Sequence, residues 1–259
     1  MALESRRLGL VLSAGGLRGA AHLGVFKRLI DAHIPIDVIV GSSAGAMVGA
    51  MYAAVGQSIE EIIEDAPRLR GRHVLVHSLV RRAPGASGRW LQPYAGIVPE
   101  RLSQLAGATF DTLHHGVRAF GVVCYDLAAR RPMYFSSANT HGLGLPAVVR
   151  ASGAVPFLFP PGCYEVEGRE VRLTDGGIGD PIPSAFAREP GLDATHLVVS
   201  DCRGLARPLI PDGRAIYVRP ALTGLGMLRS SRSGLMDAVR AGEAAVTDAM
   251  IDRVRAWLQ

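Results

Sequence analysis

The sequence predicts an α/β fold with a parallel sheet covered on both faces, and two observations near its beginning support this. Apolar runs at Leu8–Leu12 and at residues 36–40 each end in a glycine-containing turn, as buried parallel strands do. Each turn is followed by apolar residues at helical spacing, and the first of these helices must end before Pro35. A strand-helix-strand-helix order is the connection that joins parallel strands.

The later elements are predicted from the same periodicities. Residues 117–125, 132–136, 195–200 and 215–219 have strand patterns, and residues 164–173 form a hairpin that turns at Gly168. Residues 47–54 and 145–153 are predicted as helices. From residue 235 onward the apolar positions keep helical spacing as far as Trp257, which predicts one terminal helix packed on the body of the protein.

Composition sets the size and class of the protein. A chain of 259 residues with 48% hydrophobic content can bury a large core, so residues 1–259 are expected to form a single domain. The longest apolar runs are too short to span a bilayer, and the run after Arg6 and Arg7 is too short for a signal peptide. Three widely spaced cysteines match neither a disulfide framework nor a zinc site, which favours a cytoplasmic protein without a metal.

The positive charge is concentrated in one stretch. The net charge is +5, and the chain has no acidic residue between Asp65 and Glu100. This interval contains six arginines: Arg68, Arg70, Arg72, Arg81, Arg82 and Arg89. We expect residues 66–99 to form a lid or an insertion that faces an anionic membrane, although a solvated loop would explain the same composition.

A G-x-S-x-G sequence lies between the second predicted strand and the helix after it. Ser43 is at its centre, between Gly41 and Gly45. In this context a serine sits on a strained turn that exposes its hydroxyl, and the glycines allow strand and helix to approach closely. We therefore predict Ser43 as a nucleophile, with the neighbouring Ser42 as a weaker candidate and an ordinary glycine-serine turn as the simpler explanation.

A glycine-rich loop opens the first helix with the residues Gly15, Gly16, Leu17, Arg18 and Gly19. Backbone N–H groups at a helix N-terminus suit a phosphate or a transient oxyanion. A Walker loop would require Gly-Lys before Ser or Thr, and a dinucleotide site would require an acidic residue after the second strand; both are absent from the sequence. We therefore favour an oxyanion hole for the adjacent serine, and nucleotide binding is the weakest alternative.

The residues alone leave more than one candidate for the base that would activate Ser43. The order Ser43, Asp175, His196 would suit a catalytic triad, but His196 begins an apolar strand, where a structural histidine is expected. Asp175 precedes Gly176 and Gly177 at the end of the predicted hairpin, although Asp-Gly-Gly is also a common turn. Three other acids compete with Asp175: Asp126, Asp180 and Asp201.

Taken together, these motifs resemble the patatin-like phospholipase family over most of the chain. The loop at residues 15–19 is similar to its oxyanion loop, residues 41–45 to its nucleophile elbow, and residues 175–177 to its Asp-Gly-Gly/Ala motif. The segment from Arg150 to Pro156, with Phe159-Pro160-Pro161 after it, resembles the stretch that precedes the aspartate in that family. Residues 68–99 have no counterpart that we can align with the family.

The resemblance implies a three-layer α/β/α fold with a mainly parallel central sheet. It also implies hydrolysis of fatty acyl esters in lipids by a Ser43–Asp175 dyad without histidine, metal or cofactor. The expected partners are a lipid or fatty acyl ester substrate and the surface of an anionic membrane at the inner face, with no nucleic acid. The alternative is a lipid-binding or regulatory module of the same fold that has lost turnover.

Overall fold

A computed structural model describes residues 6–82, 92–204, 212–227 and 234–259. An eight-stranded sheet forms its centre. The strands are β1 Leu8–Leu12, β2 Val38–Ser42, β3 Ala119–Asp126, β4 Arg131–Ser136, β5 Gly162–Val166, β6 Arg169–Asp175, β7 His196–Ser200 and β8 Ala215–Val218. Strand β3 pairs with β2, β4 and β6, and the sheet continues from β2 through β1 and β7 to β8, and from β6 to β5. The parallel part of the sheet consists of five adjacent strands, β3, β2, β1, β7 and β8. Strands β4 and β6 pair antiparallel with β3, and β5 pairs antiparallel with β6.

Helices connect and follow these strands. The described α-helices are α1 Ala20–Asp31, α2 Ala44–Ala53, α3 Ile59–Asp65, α4 Gly71–Arg82, α5 Val98–Gln104, α6 Leu145–Ser152, α7 Gly234–Ala245 and α8 Asp248–Leu258. Short 3-10 turns occur at Gly16–Gly19, Gln92–Ala95, Leu105–Gly107, Gly176–Ile178 and Phe186–Arg188. In the described parts of the chain, no helix is long and apolar enough to cross a membrane.

Alternating side chains of the strands enter two separate cores. Leu8, Leu10 and Leu12 of β1 pack toward the helices, whereas Val11 joins a smaller core on the opposite face. That smaller core is covered mainly by residues 181–195, which contain only the 3-10 turn Phe186–Arg188. The predicted α/β fold with a mainly parallel sheet is confirmed, and the second covering layer is thin in the part of the chain that the structure describes.

Helices α1 and α7 approach each other through glycines. A Cβ atom on Gly24 would lie 1.9 Å from the carbonyl oxygen of Val239, and one on Gly242 would lie 2.0 Å from that of Ala21. Both contacts are with backbone atoms, so the helices could pack this closely only where a side chain is missing at each position. The pair anchors α7 on the helix that follows the glycine-rich loop.

The predicted single terminal helix is wrong, because the structure has two helices there. α7 ends at Ala245, and Thr247 begins α8 as its N-cap by accepting the N–H of Met250 at 3.3 Å. The apolar positions continue the helical spacing across this break, which explains the error. In the arginine-rich stretch, the structure contains helix α4, while residues 83–91 of the expected lid or insertion lie outside the described residues.

Candidate active site

The G-x-S-x-G turn lies between β2 and α2, as predicted. Ser43 is the N-cap of α2 and has φ 54 and ψ −118, in a region that a residue with a side chain rarely adopts. A Cβ on Gly41 would lie 2.5 Å from the backbone N of Ala46, and one on Gly45 would lie 2.3 Å from the carbonyl oxygen of Leu12. Both glycines are therefore required for the close approach of the turn to its neighbours.

Ser43 and Asp175 form a buried hydrogen-bonded pair. The Ser43 hydroxyl donates to Oδ2 of Asp175 at 2.5 Å, and the Gly177 N–H donates to Oδ1 at 2.8 Å. Ser43 and Asp175 are each only 6% exposed to solvent. Burial raises the pKa of Asp175 above the ordinary aspartate value, and the two hydrogen bonds offset part of this rise.

The register of strand β3 explains how these two residues meet. β2 runs parallel to β3 and ends with Ser42 beside Val123, whereas β6 runs antiparallel and ends with Asp175 beside Cys124. β4 occupies the other edge of β3 at both places, so β2 and β6 must share one edge. The ends of β2 and β6 therefore face each other at successive residues of β3, and the residues that terminate them come into contact.

His196 lies far from this pair, at the opposite end of the sheet. It is the first residue of β7, which runs parallel to β1 and β2, while Ser43 follows the last residue of β2. At least four strand residues separate the two levels, or about 13 Å at ~3.3 Å per residue. The His196 ring packs against Trp257 at a centroid distance of 4.9 Å. The triad considered from the sequence is therefore not assembled.

His22 is the histidine buried beneath the glycine-rich loop, and both of its ring nitrogens are occupied. Nε2 lies 2.9 Å from the Ser13 carbonyl oxygen, so it must carry the hydrogen, and Nδ1 then accepts the Ser200 hydroxyl at 2.7 Å. Burial lowers the pKa of His22 to about 4. This histidine is neutral near pH 7 and fixes the end of β1, from which the loop departs.

The rival acids have other partners. Asp126 accepts two backbone N–H groups of the turn after β3, and Asp180 accepts the hydroxyl of Tyr134 at 3.2 Å. Asp201 is held by two arginines at 2.9 and 3.4 Å. Ser42 is fully buried, and its hydroxyl has no hydrogen-bond partner among the described residues. Of the candidates named from the sequence, the structure brings together Ser43 and Asp175.

The glycine-rich loop and Ala14 before it lie close to residues that follow Ser43 and Asp175 in the chain. A Cβ on Gly19 would lie 2.6 Å from that of Ala44, the residue after Ser43, and one on Gly177 would lie 2.7 Å from that of Ala14. Gly16 has φ +57, in the left-handed region that favours glycine. The loop thus lies beside the turn that carries Ser43.

Two N–H groups of this loop already have partners. The Leu17 N–H donates to the Met227 carbonyl oxygen at 2.8 Å, and the Arg18 N–H donates to that of Gly15 at 3.2 Å. These two N–H groups are therefore not available to a ligand in the described structure.

Two side-chain contacts of the site were not predicted from the sequence. The Arg18 guanidinium donates to the carbonyl oxygens of Leu225 at 2.8 Å and Arg203 at 2.7 Å, which ties the loop to two distant segments. The Ser152 hydroxyl accepts the Ser43 N–H at 2.9 Å. Both residues lie in the quoted motifs, but the spacing of those motifs does not reveal which group each side chain contacts.

Comparison with known proteins identifies the family of this chain. A sequence profile of the family described as patatin-like phospholipase matches residues 10–187. An uncharacterized NTE family protein of Mycobacterium tuberculosis is 34% identical over 203 residues, which cover 75% of this chain and 49% of that protein. This chain therefore spans about half the length of that relative.

Solved structures show the same fold at low identity. VipD from Legionella pneumophila aligns with a TM-score of 0.57 at 17% identity, over 98% of this chain and 67% of that one. Human GIVD cytosolic phospholipase A2 aligns with a TM-score of 0.59 at 11% identity, over 98% of this chain and 60% of that one.

The fold and the site define an α/β protein with a buried serine-aspartate pair at the end of a mainly parallel sheet. With the profile match, this chain belongs to the patatin-like phospholipase family.

Proposed function

We propose that this chain is a serine acyl hydrolase that cleaves acyl esters of lipids, with Ser43 as nucleophile and Asp175 as base. The observation that carries this proposal is the 2.5 Å hydrogen bond from the Ser43 hydroxyl to a buried carboxylate. Membership of the family supports a phospholipid, a lysophospholipid or a simple fatty acyl ester as substrate.

The proposed cycle has two steps that use protein groups and water. Ser43 Oγ attacks the ester carbonyl while Asp175 Oδ2 accepts its proton and passes it to the leaving alcohol, which forms an acyl-enzyme. Asp175 then takes a proton from water while the water oxygen attacks the carbonyl of the acyl-enzyme. The fatty acid leaves, and Asp175 returns the proton to Ser43 Oγ. An ordinary carboxylate is a weak base for an alcohol, so the raised pKa of Asp175 improves the match between the two groups.

The negative charge that develops on the carbonyl oxygen needs donors. We propose that the N–H groups of Gly15 and Gly16 supply them, since the loop touches the residue after Ser43 and the N–H groups of Leu17 and Arg18 are occupied. Ser43 also lies at the N-terminus of α2, where the helix dipole favours negative charge. Preorganised donors of this kind commonly lower the barrier by ~3 kcal/mol each.

We also propose that the enzyme works in the cytoplasm, at the inner face of an anionic membrane, with residues 66–99 turned toward the lipid. Helix α4 in this segment carries the exposed Arg72 and the exposed apolar side chains of Leu75 and Leu79. The Ser78 hydroxyl of the same helix donates to the Leu158 carbonyl oxygen, four residues after Ala154, whose own carbonyl binds the Asp175 N–H. Helix α4 is therefore connected to the segment that supports the buried pair.

Labelling by a fluorophosphonate probe tests the catalytic proposal. The wild type should form a covalent adduct, Ser43→Ala should form none, and Ser42→Ala should still be labelled, because the Ser42 hydroxyl has no partner among the described residues that could activate it. This adjacent serine is the matched control for loss of a buried hydroxyl. A folded wild type that takes no label would instead support the lipid-binding or regulatory module.

A further inference from the structure

The end of helix α6 and the residues just after it contact both members of the Ser43–Asp175 pair. Ser152 ends α6 and is fully buried; its Oγ accepts the Ser43 N–H at 2.9 Å and donates to the Val123 carbonyl oxygen at 2.6 Å. Two residues later, the Ala154 carbonyl oxygen accepts the Asp175 N–H at 3.1 Å. One short segment is thus bonded to the nucleophile strand, to β3 and to the strand of the acid.

The backbone of Ser43 needs an outside acceptor. As the N-cap of α2, its N–H has no carbonyl partner inside the helix, and burial separates it from bulk water. The φ of 54 is a strained conformation that persists only where the surroundings hold it. The Ser152 hydroxyl meets this need because its oxygen accepts the Ser43 N–H. Its own hydrogen is donated to the Val123 carbonyl oxygen, so each of these buried polar groups is paired.

We propose that Ser152 is a positioning residue for the reaction, which holds the strained Ser43 backbone in the orientation from which its hydroxyl reaches Asp175. This inference rests on the proposed hydrolase function. Ser152 acts only through the Ser43 N–H, and its own hydroxyl hydrogen is directed at β3 rather than at the pair.

Removing the hydroxyl should affect chemistry more than binding. In Ser152→Ala the Ser43 N–H loses its acceptor, so the turn can relax and the Ser43 hydroxyl can leave Asp175. A misplacement of about 1 Å at a reacting group can reduce the rate ~100-fold. Since the Ser43 hydrogen bond lowers the pKa of Asp175, its loss should also move the acid limb of the activity profile to higher pH.

The experiment makes two measurements as functions of pH. The first is the rate constant of fluorophosphonate labelling per folded molecule, and the second is kcat and KM for a short-chain acyl ester. The variants are Ser152→Ala, Ser152→Cys and the control Ser184→Ala. Ser184 also has a buried hydroxyl, but one without a hydrogen-bond partner among the described residues. The thiol of Ser152→Cys preserves the shape with a weaker donor and acceptor, so it remains informative if the alanine variant does not fold.

We expect Ser152→Ala to lose about 10- to 100-fold in labelling rate and in kcat, with KM little changed and the acid limb moved upward. Ser152→Cys should fall between it and the wild type, and Ser184→Ala should match the wild type. A folded Ser152→Ala or Ser152→Cys that labels at the wild-type rate overturns the inference. Absence of labelling in the wild type would instead overturn the hydrolase function itself.

Discussion

Asp175 is the residue at which function and stability oppose each other. Its carboxylate is buried beside apolar strands, and the pKa is raised because the charged form is poorly solvated there. The folded state therefore binds a proton more tightly than the unfolded state. Stability falls as pH rises from the unfolded pKa of about 3.9 through the raised folded pKa, and above that the cost is constant.

Replacement of this charge should stabilise the inactive protein. We expect Asp175→Asn to abolish ester hydrolysis and to unfold at a higher temperature than the wild type at pH 7, since the amide keeps the contact with Gly177 without a buried charge. The gain should disappear below about pH 3.9, where the carboxyl is neutral in both states. Thermal unfolding at several pH values measures this, and a variant less stable than the wild type at pH 7 contradicts it.

The pH dependence of turnover follows from the same shift. Asp175 must be ionised to accept the serine proton, so kcat/KM should rise with pH through a pKa above the ordinary aspartate value. Measurement of kcat/KM across the acid range shows where this limb lies.

The two members of the pair differ in how far the sequence predicts them. Ser43 follows from a local pattern of strand, glycine turn and helix, all of which the structure contains. Contact between Asp175 and Ser43 depends on β2 and β6 sharing one edge of β3, which is a long-range property that no local pattern encodes. The partner of the Leu17 N–H, the Met227 carbonyl, was unpredictable for the same reason.

At the scale of elements, the crossing of α1 and α7 is the contact most sensitive to a single added methyl group. The backbones meet where Gly24 and Gly242 have no side chains, and the nearest atoms are carbonyl groups that cannot rotate away. Helix propensity alone would favour alanine at both positions by about 1 kcal/mol. Because the two helices approach so closely, we expect alanine at either position to destabilise the protein despite its higher helix propensity.

We expect Gly242→Ala to lower the free energy of unfolding by about 2 kcal/mol, because overpacking of this kind typically costs ~1–3 kcal/mol. Urea unfolding of the variant and the wild type measures the difference. Gly107→Ala is the matched control, since a Cβ there meets nothing within 4 Å. If the two alanine variants are equally stable, the helices are not held as closely as the structure shows.

The boundary between α7 and α8 shows what periodicity misses. Apolar positions repeat at helical spacing through Val246 and onward, so the pattern predicts one helix. The Thr247 side chain caps the second helix and is the only local signal of the break that we can identify. A possible N-cap residue inside a periodic segment can therefore indicate the start of a second helix, which the periodicity of the apolar residues alone did not predict.

At the scale of the whole molecule, the positive charge is concentrated in one stretch of the chain. The parallel half of the sheet was predicted from alternating strands and helices, whereas the thin covering at residues 181–195 has no periodicity from which to predict it. The charge asymmetry was visible in composition, and the structure places its described part on α4 and on the turn between α3 and α4.

Binding to anionic vesicles should depend on this segment. We expect the wild type to bind vesicles with phosphatidylserine more tightly than neutral ones, and salt to weaken the binding. Arg72→Gln should reduce affinity about fivefold, on the basis of ~1 kcal/mol per basic residue near an anionic surface. Arg240→Gln on α7 makes the same change in net charge and should have little effect. Vesicle sedimentation measures both, and equal losses would place the contact elsewhere.

The hydrogen bond between Ser43 and Asp175 joins positions 132 residues apart, and this separation has a consequence for synthesis. A chain emerges from its N-terminus, and pairings distant in sequence form late and slowly. The serine turn and its glycine-rich loop are complete long before β6 has been made. If Ser43 is the nucleophile and Asp175 the base, as proposed, the serine of a nascent chain has no base to activate it. Lipid hydrolysis then begins only after β6 has paired with β3.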